Sequence, residues 1–150
     1  MSDSNKAVIL ANHICQTSLV GSFVESYGIW HQTPFIDFRN DTEDIRLSIQ
    51  SKVVTKKEEQ FANFTDEEKL MLCFCKINLQ EVTGVFCSEA GSLTLAFKNN
   101  VEIVIGAELK SENTAELWQL SNFTSSQDPD YMLVIALSEG GYAIWGSIPD

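Results

Sequence analysis

Two hairpin signatures with nearly the same wording constrain this chain more than any other feature. The clearer one runs from Gly91 to Ile105. In it Leu93, Leu95 and Phe97 alternate with Thr94, Ala96 and Lys98, the polar pair Asn99-Asn100 turns the chain, and Ile103 and Ile105 return. Apolar residues at every second position put one face of a strand on a core and leave the other face wet. The earlier signature is Phe35-Ile36-Asp37-Phe38-Arg39-Asn40-Asp41 followed by Ile45-Arg46-Leu47-Ser48-Ile49. Phe38-Arg39-Asn40-Asp41 answers Phe97-Lys98-Asn99-Asn100 with an offset of 59 residues (97 − 38), whereas Leu47 answers Ile103 with an offset of 56 (103 − 47). The first turn is therefore the longer by three residues, and turns are where related units drift. Two related antiparallel β-meanders follow from this pattern.

One helix is expected between them. Thr65-Asp66-Glu67-Glu68 has the form of a capping box, in which the Thr65 hydroxyl accepts the Glu68 amide and the acids sit at the positive end of the helix dipole. Leu70, Cys73, Phe74 and Ile77 then fall at helical spacing, which predicts a helix from about residue 66 to 75 packed on the sheet. Upstream, residues 1–5 are expected to fray, 6–11 suit strand or helix equally, and the apolar runs at 19–24 and 27–30 read as two short strands. Pro34 suits the start of the next strand, and Val53 and Val54 read as prolonging the strand that contains Ile49. Residues 55–60 form a charged connection, 110–114 a polar one, and 121–130, with Asp128-Pro129-Asp130, a loop. Glu116 to Leu120 alternates again, and the apolar run from Tyr131 to Leu137, the Gly140-Gly141 turn and Tyr142 to Trp145 make a final hairpin. The expected fold is mainly β (α+β): two meanders plus a C-terminal hairpin, forming a sandwich or partly open barrel with one packed helix. It occupies a single domain over 1–150, with β-units at about 18–54 and 79–120, the helix at about 66–75 and the hairpin at about 131–147.

Charge narrows the partners. A net charge of −11, from 21 acidic and 10 basic residues, repels phosphate and anionic lipid, so neither nucleic acid nor a membrane surface is expected. It favours solubility and a basic protein partner, whose approach such a field accelerates. The apolar run from Ala7 to Ala11 is far too short for a signal-peptide core or a membrane span, which points to the cytoplasm. There Cys15, Cys73, Cys75 and Cys87 are expected as free thiols.

Residues that could carry chemistry are few. His13 and Cys15 would point the same way on a strand and could join Cys87 as soft ligands, yet no Cys-x-x-Cys or spaced His pair accompanies them, so no metal is expected. Cys73 and Cys75 would lie about 200° apart on a helix and read as apolar fillers. His31 sits beside Trp30 in an apolar cluster and reads as structural. No Gly-x-Ser-x-Gly elbow or glycine-rich phosphate loop is present, so no catalytic residue and no cofactor are assigned. Trp30, Trp118, Trp145, Tyr131 and Tyr142 read for the most part as core aromatics, with one or two placed outward beside acidic loops to make a binding surface. Asp41, Glu43 and Asp44 in the longer turn, with Trp30, are the candidate partner-binding residues.

The succession Gly91-x-Leu93-x-Leu95-x-Phe97, Ile103-x-Ile105, Glu116-x-Trp118 resembles small acidic bacterial proteins of unassigned activity, some of which are similar to immunity proteins encoded beside secreted toxins. The resemblance covers about residues 70–120 and, more weakly, 19–54, where Lys52-Val53-Val54 stands in place of the Glu-x-Trp element. It carries over no site residue. It implies a cytosolic protein-binding domain, an immunity-type inhibitor of a basic toxin or nuclease. The alternative is a small-molecule-binding β-barrel or an enzyme, which would need an enclosed pocket with converging polar groups.

Overall fold

A computed structural model describes residues 3–55, 63–109, 115–124 and 126–146. The connections expected at 56–60 and 110–114 lie outside these residues. In chain order the elements are α1 (Asp3–Leu19), β1 (Phe23–Trp30), β2 (Thr33–Arg39), β3 (Asp44–Ile49), β4 (Ser51–Thr55), α2 (Asp66–Ile77), β5 (Val82–Cys87), β6 (Leu93–Phe97), β7 (Glu102–Leu109), β8 (Glu116–Asn122), β9 (Leu133–Leu137) and β10 (Tyr142–Trp145). All strand pairs among the described residues are antiparallel, in one sheet ordered β1-β2-β3-β8-β9-β10 and a second ordered β4-β7-β6-β5. The sheets do not close into a barrel. Of the two expected arrangements, the chain adopts the sandwich.

Each meander keeps to its own sheet, β1-β2-β3 in the larger and β5-β6-β7 in the smaller, and the strand after each crosses to the other. Thus β4 pairs with β7, and β8 pairs with β3. The first crossing takes a single residue: Ile49 is opposite Trp118 in one sheet, Ser51 is opposite Leu109 in the other, and only Gln50 lies between. This corrects the expectation that Val53 and Val54 prolong the preceding strand. The exchange ties the sheets together, because each contains a strand from the other half of the chain.

The register accounts for the two turns. Ile36 is opposite Leu47 and Leu95 is opposite Ile103, matching the sequence alignment of the two hairpins. In the long turn the Asn40 side-chain oxygen accepts hydrogen bonds from the Thr42 and Glu43 amides at 2.9 Å each. In the short one, Phe97 N–H donates to the Val101 carbonyl at 2.9 Å, and Asn100 takes φ +68°. Asn tolerates that left-handed conformation better than most residues.

Among the described residues two helices are present where one was expected. Residues 6–19 form most of α1, with Ala11, Ile14, Cys15 and Leu19 buried at helical spacing. The helix stops at Gly21, whose φ of +90° is a conformation that favours glycine, so 19–24 is a helix end and a strand start instead of a strand. The chain from 23 to 30 is likewise one strand, with His31 and Gln32 as its turn at φ +48° and +69°. His31 is exposed there, outside any apolar cluster. On α1 the Asn12 amide donates to the Cys87 carbonyl at 2.8 Å and accepts the Cys87 N–H at 2.7 Å, while Gln16 donates to the Val85 carbonyl at 3.2 Å. Side chains of α1 thereby satisfy the edge of β5, as a neighbouring strand would.

The second helix follows the sequence closely. Thr65 caps α2, its hydroxyl accepting the Glu68 amide at 3.2 Å while Glu68 Oε1 accepts the Thr65 amide at 3.0 Å. The bond from the Thr65 backbone is the main cause that holds the Glu68 carboxyl below its usual range. Leu70, Cys73, Phe74 and Ile77 are the buried positions. The helix runs two residues beyond the expected end, to Ile77, and the Asn99 amide donates to the Lys76 carbonyl at 2.9 Å in its last turn. Thr65→Ala removes the cap and is expected to lower stability by about 1 kcal/mol, read as a shifted denaturation midpoint at constant slope.

Candidate protein-binding face

The alternation that fills the core also decides what the larger sheet shows on its other side. Ile36, Phe38, Ile45, Leu47, Ile49 and Leu120 point between the sheets and are fully buried. Their neighbours form rows across the outer face. One row reads Gly28, Phe35, Ser48, Gln119, Ile135, Ala143, and the next reads Ser26, Asp37, Arg46, Ser121, Leu133, Trp145. The helices pack elsewhere, α1 against β5 and β10 and α2 against β4 and Tyr27. Phe123 and Trp145 are 62% and 50% exposed on this face.

Arg46 is its centre. Nε and Nη2 donate to the two carboxylate oxygens of Asp37 at 2.7 and 2.9 Å. The guanidinium lies 4.2 Å from the centre of the Phe35 ring and 5.3 Å from that of Phe123. Gly28 leaves room for this arrangement, since a β-carbon there would come within 3.1 Å of the Phe35 ring. Arg39 is likewise neutralised, by Glu25 at 2.9 Å and Asp44 at 3.0 Å.

At one end of the face the structure joins the predicted acids to others. Asp41 is exposed, Glu43 and Asp44 are partly buried, and Asp44 is committed to Arg39. Asn122, buried at the end of β8, donates to Glu43 Oε2 at 3.1 Å and to the Asp130 carbonyl at 2.7 Å, and accepts the Met132 amide at 3.1 Å. This stitches the long turn to the loop before β9. A hollow of about 410 Å³ results on the side of the turn that faces α1, lined by Glu43, Asp128 and Asp130 together with Ile14 and Ser18 of α1, with no lysine or arginine among the described residues of its wall. Sequence reasoning missed Asp128 and Asp130, because only the tertiary contact through Asn122 brings them here.

Trp30 is not part of that end. It lies at the opposite end of β2, and seven residues at about 3.3 Å each separate the two by roughly 20 Å. It is 65% exposed and edge-on to His31, with ring centres 5.0 Å apart. Of the other aromatics expected mostly in the core, Trp118 and Tyr142 are buried and Tyr131 is partly so, whereas Trp145 at the end of β10 points outward. The Trp118 indole donates to the Gly91 carbonyl at 2.8 Å, and the Tyr142 hydroxyl donates to the Ser88 carbonyl.

The thiols and the polar groove complete the inventory. Cys15 and Cys87 meet in the core, and their hydrogen bond together with burial pushes the Cys15 thiol up. Burial, then proximity to Cys87 and Cys15, raises Tyr142 as well. Helical α1 turns His13 outward, away from both cysteines, so the ligand set His13, Cys15, Cys87 is not assembled. A groove of about 690 Å³ lies between the β1–β2 turn, β4 and the start of α2, with Ile29, Val53 and Val54 in its wall. Its acids Asp66 and Glu67 are exposed, and among the described residues the buried polar ones are Ser22, Ser51 and Asn122, none of them ionisable. No family model, no curated protein and no solved structure matches this chain.

Proposed function

We propose that this chain is a non-catalytic protein-binding domain that takes a basic protein partner, in the manner of an immunity-type inhibitor covering a toxin or nuclease in the cytoplasm. The observation that supports the reading is the acidic end. Carboxylates from two separate loops converge there around one hollow whose described wall holds no lysine or arginine, on a chain of net charge −11. Acids in a concave site concentrate the field and attract cations from solution. The same field disfavours nucleic acid and anionic membrane as ligands.

The test is kinetic. In the triple variant Asp41→Asn/Glu43→Gln/Asp44→Asn, the carboxamide introduced by Glu43→Gln still offers an acceptor to Asn122 and Arg39 retains Glu25, so the fold is expected to persist while Asp128 and Asp130 alone keep their charge at this end. Association with a basic protein recovered from the source cell is expected to slow about tenfold or more at low salt, with dissociation changed much less. A partner whose association ignores all three substitutions would contradict the reading.

A further inference from the structure

We infer that the outer face of the larger sheet, centred on Arg46 between Phe35 and Phe123 and extending to Leu133 and Trp145, is the apolar anchor for a basic protein. The inference rests on the proposed function and adds the surface that holds the partner once the acidic end has drawn it in. Three observations converge on it. Neither described helix packs on the face. It shows exposed Trp145, Phe123 and Arg39 around a partly exposed Arg46, and Trp and Arg dominate binding energy in protein interfaces. Arg46 is held in one orientation by the paired bonds to Asp37 and by the two rings, so little side-chain freedom is lost when a partner covers it.

Charge decides the occupant. Both arginines of the face are already neutralised, Arg46 by Asp37 and Arg39 by Glu25 and Asp44, and the adjoining rim adds Asp41 and Glu43. Acids are thus in excess around an apolar centre. A second copy would bring one charge of −11 against another, whereas an apolar patch ringed by Lys and Arg complements this surface. The two parts meet at the end of β8, where Asn122 points inward and binds Glu43 while its neighbour Phe123 points outward to Arg46.

The experiment places the photo-cross-linking residue p-benzoylphenylalanine at position 123, at position 41, and at exposed position 86 on β5 of the smaller sheet, each in the full chain expressed in the source cell. The expected result is one protein of isoelectric point above about 9 captured from positions 41 and 123 and not from 86. With that protein purified, Phe123→Ala/Trp145→Ala is expected to raise the dissociation rate about tenfold or more and to leave association within about twofold. Capture from 41 alone, or an unchanged dissociation rate, overturns this inference and leaves the proposed function standing. Capture from 123 of an acidic protein or of a second copy overturns the choice of occupant. Absence of adducts at both positions overturns inference and function together.

Discussion

Trp118→Ala is expected to lower stability by about 3–5 kcal/mol, a large fraction of what holds a domain of this size together. The side chain is fully buried at the point where the exchanged strand β8 joins the larger sheet, opposite Ile49 on one side and Ala136 on the other. Its ring centre lies 5.9 Å from that of Tyr142. Truncation opens a cavity on both sides of the crossing and also removes the donor for the Gly91 carbonyl. Gly91 is packed closely against this strand, since its φ is +99° and a β-carbon there would stand 2.6 Å from the Leu117 side chain. Trp118→Phe separates the contributions. It keeps most of the volume and is expected to cost about 1–3 kcal/mol through the unpaired carbonyl and the residual void. Denaturant midpoints at constant slope measure both variants, and an unchanged midpoint for Trp118→Ala would place the residue outside an enclosed core.

Phe74→Ala is expected to cost a similar amount, about 3–5 kcal/mol, by a different route. Phe74 is fully buried on α2 and lies 5.5 Å from the Tyr27 ring, while the Tyr27 hydroxyl is within 3.1 Å of the neighbouring Cys75 sulfur. These contacts seat the helix that links the two meanders on the first strand of the first one. Loss of the ring should therefore loosen α2 ahead of the sheets, so amide exchange in 66–77 is expected to accelerate before exchange in β3 or β6. Uniform acceleration throughout the chain would mean that α2 has no separable role in the seam.

Alternation made β3, β6 and the first half of β7 legible in the sequence, since β3 and β6 bury every second residue and β7 buries Ile103 and Ile105, and the capping box made α2 legible to within two residues. What escaped was information held between distant residues. The helix α1 was obscured because Ala11, Ile14, Cys15 and Leu19 repeat at helical spacing only when read across His13 and onward to the stop at Gly21. The crossing at Gln50 leaves no local trace, because Val53 alternates on from Ile49 as though one strand continued. The candidate site shows the same division. Asp41, Glu43 and Asp44 were recognisable as a solvated turn, but their meeting with Asp128 and Asp130 depends on Asn122. Which tryptophan faces outward depends on strand parity: Trp118 pairs with Ala136 and Trp145 with Leu133, rows an odd number apart, and only the register separates the buried one from the exposed one.

Salt is the most direct probe of the claim that the acidic end steers a basic partner. The measurement is the association rate of the unmodified chain with the captured protein between about 20 and 500 mM salt, across which the Debye length falls from roughly 20 Å to about 4 Å. Steering by Asp41, Glu43, Asp128 and Asp130 predicts an association rate that falls about tenfold to a hundredfold over this range, with a dissociation rate that changes by less than about threefold. An association rate independent of salt would contradict it.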